Sequence, residues 1–118
     1  MLRIGIIGAG IICESHVRSI ERMDNVTLKA VADIVIEKAL AFTEPLGVNA
    51  YVDYKEMILR EDLDVVIINL PHNLHKEATI LAAEHGIHVL LEKPMAISTK
   101  DCKDMIRAAQ KNNIKLMV

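Results

Sequence analysis

Gly8 and Gly10, separated by one alanine and followed at once by a helical pattern, are the first residues whose spacing points to chemistry. Where a strand breaks on Gly-x-Gly and turns into a helix, backbone amides at the helix start can hold a diphosphate. Gly8 permits the tight turn out of the strand, and Gly10, lacking a Cβ, lets the main chain approach the phosphates. The charge would then sit at the positive end of the helix. Ile11 and Ile12 complete the main-chain lining of this turn. Cys13 occupies the position of the usual third small residue and is small enough for close packing of helix on strand. The competing reading is a glycine turn that binds nothing.

Asp33 lies 23 positions beyond Gly10, at the tip of the second strand. An acid there accepts hydrogen bonds from the ribose hydroxyls of a bound dinucleotide, and its charge repels a 2'-phosphate, which favours NAD over NADP. It could equally cap the helix that begins near Val35, and the two roles are compatible. A third group, Glu92-Lys93-Pro94, follows an apolar strand directly. Two charged side chains at the carboxyl end of a parallel strand stand where a ligand crevice opens, and a lysine there can serve proton transfer. A plain charged turn is the alternative. His72 and His75 are three apart, a spacing that can put two imidazoles on one helix face. No further ligand cluster accompanies them, so they are read as turn and helix-start residues. His16, in the first turns of the helix after the glycines, could approach a cofactor or pack at a helix surface.

These groups need a scaffold, and composition narrows it. With 118 residues, 52% of them hydrophobic and 3% aromatic, the chain is one domain with an aliphatic core, which suits parallel strands covered on both faces by helices. A formal net charge of -2 gives no reason to expect nucleic acid or an anionic membrane as partner. Cys13 and Cys102 form no Cys-x-x-Cys pair and read as reduced thiols. The first strand begins almost at Met1 and no apolar run approaches the roughly 18 residues needed to span a bilayer, so a soluble, cytoplasmic protein is expected.

The pattern predicts a strand over residues 2–7, then a helix over 11–23 with Ile12, Val17, Ile20 and Met23 as its apolar positions. A second strand covers 26–32, a helix 35–46 with Pro45 near its end and Gly47 as its stop, and a short strand 49–52. Asp53 caps a helical piece over 54–60, with Glu56 completing a capping box. Val65, Val66, Ile67 and Ile68 mark a central strand within 64–69. Residues 70–75 would then stand beside the cofactor, and a helix over 75–85 ends at Gly86. A strand over 87–91 leads to Glu92; Ser98 caps a helix over 99–111, with Cys102, Met105, Ile106 and Ala109 as its apolar positions; a last strand covers 114–118. This is a doubly wound α/β domain with six mainly parallel strands in the order 3-2-1-4-5-6.

Taken together, Gly8-Ala9-Gly10 with His16, Val31-Ala32-Asp33, Asp64-Val65-Val66 leading to Pro71 and His75, and Gly86-Ile87-His88-Val89 leading to Glu92-Lys93-Pro94 resemble the N-terminal domain of the glucose-fructose oxidoreductase, inositol dehydrogenase and MocA family. The resemblance covers essentially the whole chain and implies a Rossmann domain binding NAD, with NADP less expected because Ile34 rather than arginine follows Asp33. It implies an oxidoreductase acting on sugars, cyclitols or related small molecules. Lys93 would be the catalytic residue near the substrate hydroxyl and the nicotinamide ribose, and Pro71, His75 and Glu92 would join the cofactor-binding set. The family's second, antiparallel domain and the acid-base partner it carries are absent from this chain, so the fragment alone is expected to bind without efficient turnover and could self-associate. Leu70-Pro71-His72 replaces the Thr-Pro-Asn of many members. A nucleotide-sensing module that kept the fold and lost catalysis is the rival reading.

Overall fold

β-Branched and aliphatic residues dominate the strand segments, and a parallel sheet hides such residues on both faces. The computed structural model describes residues 1–118. Its strands are β1 (Leu2–Ile7), β2 (Val26–Ala32), β3 (Asn49–Tyr51), β4 (Val65–Ile68), β5 (His88–Leu91) and β6 (Leu116–Met117). They form one sheet in the order β3-β2-β1-β4-β5-β6, and every pairing is parallel. The helices between them are α1 (Cys13–Glu21), α2 (Ile36–Thr43), α3 (Tyr54–Arg60), α4 (His75–Glu84) and α5 (Thr99–Lys111). The doubly wound architecture and strand order are those the sequence predicts.

The sheet separates two apolar clusters. Ile4, Ile6, Val17, Ile20 and Ile67 belong to the one under α1 and α2, and Ile7, Met57, Val66, Ile68 and Met105 to the one under α3, α4 and α5. Alternate residues of β1 thus serve opposite layers, as a period of two requires. Gly5 sits where β1 slips register against β2, and a Cβ there would come 2.7 Å from Leu63 Cδ1. The missing side chain is what lets the segment after α3 close over the sheet.

Several boundaries differ from the sequence reading. Helix α1 begins at Cys13, with Ile11 and Ile12 in the preceding turn, and Met23 lies beyond its end, half exposed. Helix α2 stops at Thr43, so Pro45 follows the helix rather than lying within it. Asp53 does cap α3, accepting from Lys55 N at 2.9 Å, but Glu56 pairs with Arg60 at 3.0 Å and the box is half built. Ser98 caps α5 through Asp101 N at 3.1 Å. Ile106, expected in the core, is 43% exposed, because Met105 and Ala109 already supply the inward stripe.

At the amino ends of the strands, Asp64 grips Arg3. Its Oδ2 accepts from Arg3 N at 2.8 Å and Nε at 3.0 Å, and its Oδ1 from a terminal guanidinium nitrogen at 3.1 Å. Arg3 also pairs with Asp62. These bonds to the charged form hold the Asp64 carboxyl down at about 2, from an ordinary 3.8. A depressed carboxylate adds stability above its unfolded pKa and loses it as the pH falls through the folded one. The Asp64→Asn variant is therefore expected to be less stable than the parent at neutral pH. The gap in melting temperature should narrow as the pH is lowered from 3.8 towards 2; a gap that holds constant would show that the pair adds nothing.

Candidate functional site

The carboxyl ends of β1, β2 and β4 meet at the glycine turn. Gly8 carries a φ of +96°, a conformation that side chains resist, and donates its amide to Ala32 O at 2.8 Å. A Cβ on it would lie 3.0 Å from the backbone C and O of Asn69. The turn is thus wedged against the β4 end, where Asn69 Nδ2 donates back to Gly8 O at 3.3 Å.

Asp33 holds the other side. Its Oδ2 accepts from Ala9 N and its Oδ1 from Val35 N, both at 2.8 Å. The carboxylate therefore faces the mouth of the turn, whereas the capping role weighed from the sequence is not filled: Val35 N lies before α2, whose N-cap is Val35 with no side-chain hydrogen bond. Each oxygen has a lone pair left for a ligand hydroxyl. The amides of Gly10, Ile11 and Ile12 donate to no group of the protein, whereas Gly10 O and Ile12 O accept from Cys13 N at 3.0 Å and His16 N at 3.3 Å. A Cβ built on Gly10 meets no atom within 4 Å. Three unpartnered donors at the start of a helix, beside open space, fit a diphosphate. The side chains of Ile11 and Ile12 point outward, so these two residues offer main chain only. Cys13 is fully buried beneath the turn; burial, aided by the charge of Asp33, pushes its thiol up to about 12, so it packs and does not react.

Gly8, Gly10, Asp33 and Pro71 line a common cleft of about 290 Å³. Two further residues on its wall escaped the sequence reading, Lys38 and Asn69. Lys38 stands in the first turn of α2 and is exposed. Asn69 follows four β-branched residues as Asp33 follows β2, and that strand-end position was the available signal. Its Oδ1 is buried with no partner; exchanging the amide's oxygen and nitrogen would set oxygen against Gly8 O, so the orientation is dictated by the turn. An orphaned buried acceptor beside unpartnered donors is what a site shaped for a polar ligand leaves unfilled.

Glu92 and Lys93 lie one strand further along and do not line this cleft. Glu92 Oε1 meets His16 Nε2 at 3.0 Å, which ties the β5 end to α1 across the top of the sheet. His16 is thus neither a free ligand nor simple packing. Lys93 is exposed and pairs with no carboxylate, and its bond to Pro94 is cis. His72 lies in a short 3-10 turn (His72–Leu74) before α4. His75 does not face the crevice as expected of a cofactor contact: it is 1% exposed, and both ring nitrogens are taken by backbone carbonyls. Its place at the first, inward-facing position of α4 is the reason.

No helix is long and apolar enough to cross a membrane. The family model described as "Oxidoreductase family, NAD-binding Rossmann fold" matches residues 2–118. Among curated relatives, scyllo-inositol 2-dehydrogenase (NADP(+)) IolU of Bacillus subtilis is 37% identical over 99% of this chain and 36% of its own length. The 2,7-anhydro-N-acetylneuraminate hydratase of Mediterraneibacter gnavus is 35% identical over 95% of the chain and 29% of its own. The solved WlbA dehydrogenase of Bordetella pertussis, in complex with NADH and UDP-GlcNAcA, superposes with a TM-score of 0.93 at 28% identity, covering 98% of this chain and 36% of that one. The chain thus spans about a third of the length of the relatives it matches. With the parallel sheet, the glycine turn and the strand-tip acid all in place, the chain belongs to the glucose-fructose oxidoreductase, inositol dehydrogenase and MocA family, as its NAD-binding Rossmann domain.

Proposed function

We propose that this domain places NAD for an oxidoreductase that moves hydride between the nicotinamide and a sugar, cyclitol or related hydroxy compound. The unpartnered amides of Gly10, Ile11 and Ile12, in the turn whose Ala9 amide is held by the Asp33 carboxylate, carry this reading. The amides would hold the diphosphate and Asp33 the adenosine ribose. Pro71 would form the wall beside that ribose, since it lines the same cleft. When bound, the cofactor supplies the hydride chemistry itself. Lys93, exposed at the β5 end, would hold or release the proton that accompanies hydride transfer, with Glu92 fixed beside it through His16. The names of the relatives, a cyclitol dehydrogenase and a dehydrogenase solved with a sugar nucleotide, support a polyhydroxylated substrate.

Calorimetric titration of the protein with NADH and with NADPH tests the cofactor reading. NADH is expected to bind more tightly, because Asp33 and a 2'-phosphate repel each other. In the Asp33→Asn variant one carboxylate oxygen becomes a donor, so a backbone amide bond and a ribose bond are weakened together. NADH affinity should fall by roughly tenfold, the value of one charge-assisted hydrogen bond, while NADPH affinity falls less or rises. Equal losses for both cofactors would remove Asp33 from the ribose site.

A further inference from the structure

Residues 93–97, between the end of β5 and the cap of α5, make no main-chain hydrogen bond to one another or to the rest of the chain. Glu92 N donates to Ile68 O at 3.1 Å, and the main chain is next engaged by other main chain at Ser98 O, which accepts from Cys102 N at 3.1 Å. Lys93 thus stands in a turn that its own backbone does not fix. What holds the near flank is a side chain: Glu92 Oε1 meets His16 Nε2 at 3.0 Å. A carboxylate only accepts, so Nε2 carries the hydrogen, and donor and acceptor are the same whether the ring holds one proton or two. Neither side chain bonds to any other group.

The two ends of this contact belong to different parts of the site. His16 is at the opening of α1, where its own amide donates to Ile12 O at 3.3 Å, directly behind the unpartnered amides of Gly10, Ile11 and Ile12. β1 and β5 do not pair, since β4 stands between them. The main chain therefore gives α1 no direct tie to the Lys93 turn, and the imidazole supplies one. We propose that His16 is a positioning residue: through Glu92 it sets the Lys93 turn against the opening of α1, so that the amine and the diphosphate donors keep one spacing. This deepens the proposed function and rests on Lys93 acting at the reacting end.

The far flank of the turn is held in another way. Met95 and Ala96 pack against the apolar cluster under α3, α4 and α5, and His75 Nδ1 lies 3.0 Å from Pro94 O. These contacts fasten the turn to α4 and leave the Lys93 side to His16 and Glu92. The His16 and Glu92 side chains are 19% and 35% exposed, against 66% and 60% for Arg18 and Glu14 on the outer face of the same helix. A hydrogen bond to a carboxylate holds better where water is partly excluded than on an open surface. Helix α1 adds stiffness, because Cys13, Val17 and Ile20 bury its inner stripe. The imidazole is thus carried on an element that does not move with the turn.

The test compares His16→Leu, which keeps a good helix former and removes the donor, with His16→Gln, whose side-chain amide can still donate to Glu92. Backbone nitrogen-15 relaxation, read without cofactor or substrate, reports on the turn directly. The order parameter of Lys93 is expected in the rigid range, about 0.85, in the parent and below about 0.6 in His16→Leu. Glutamine should return it towards the parent value. Order parameters in β4 and α4 should be the same in all three proteins, which a general loosening would not allow. In an enzyme carrying this domain, His16→Leu should lower kcat by about 10- to 100-fold, the cost of a slightly misplaced reacting group, and His16→Gln should recover most of it. The Kd for NADH should change by less than about threefold, since the ring touches none of the diphosphate or ribose donors. An unchanged Lys93 order parameter in His16→Leu, one that glutamine does not restore, or a kcat that leucine leaves intact overturns the inference. A parent that fails to bind NADH sinks the cofactor reading instead, and a Lys93→Met enzyme as active as its parent removes Lys93 from the reaction; the order parameters judge the His16 tie in either case.

Discussion

Replacing Gly8 with alanine is expected to destabilise the domain by about 3 kcal/mol, combining the cost of a left-handed backbone with that of forcing a methyl group into a packed contact. The residue has a φ of +96°, and the intruding Cβ would meet backbone atoms of Asn69 at 3.0 Å, which cannot swing aside as a flexible side chain would. NADH binding should vanish with the turn. Gly10 is the control that separates folding from recognition. Its φ is not positive and its Cβ would meet nothing, so Gly10→Ala should fold as well as the parent or gain about 0.5 kcal/mol from a less flexible unfolded chain. Yet the added methyl would stand in the mouth before the unpartnered amides, and NADH affinity should drop by roughly tenfold or more, since close main-chain approach is lost. Urea unfolding read beside NADH titration checks both. A Gly10→Ala protein that binds NADH like the parent would mean the diphosphate lies elsewhere.

The second large effect is expected at Lys93. It is exposed, unpaired and at the end of a strand whose neighbouring glutamate is already engaged. Lys93→Met keeps the stem and removes the proton carrier. Under the proposed function, turnover of a cyclitol or sugar by an enzyme carrying this domain should fall by about 10²- to 10⁴-fold, the usual worth of a positioned acid or base. NADH affinity and melting temperature should hardly move, because no hydrogen bond or ion pair of the fold involves the Lys93 amine. A loss of NADH binding equal to the loss of turnover would make Lys93 a cofactor anchor rather than a proton carrier.

Much of this was legible in the chain before any coordinates. Strand identity was carried by runs such as Val65 to Ile68, and strand order by alternation of strand and helix, so the topology followed from general rules of parallel sheets. Asp33 and Gly8 were legible because their positions are set by local geometry at the ends of strands. What stayed hidden depends on long-range approach. The pairing of His16 with Glu92 joins residues 76 apart, and nothing in either segment names the other. His75 read as a crevice residue because its place after β4 is near the crevice; only the direction of its side chain, inward from the first turn of α4, removes it from the surface. Ile106 shows the opposite error, an apolar residue at a helical interval that packing left outside.

All the strands run in one sense, and Asp64 gripping Arg3 lies at their starts while the glycine turn, Asp33, Asn69 and Lys93 lie at their finishes. The sheet therefore has a mortar rim and a working rim, separated by the length of its strands. Exchanging side chains along the working rim alters what the molecule holds without loosening the masonry beneath, and repairs along the other rim can strengthen the wall without being noticed by whatever sits on top.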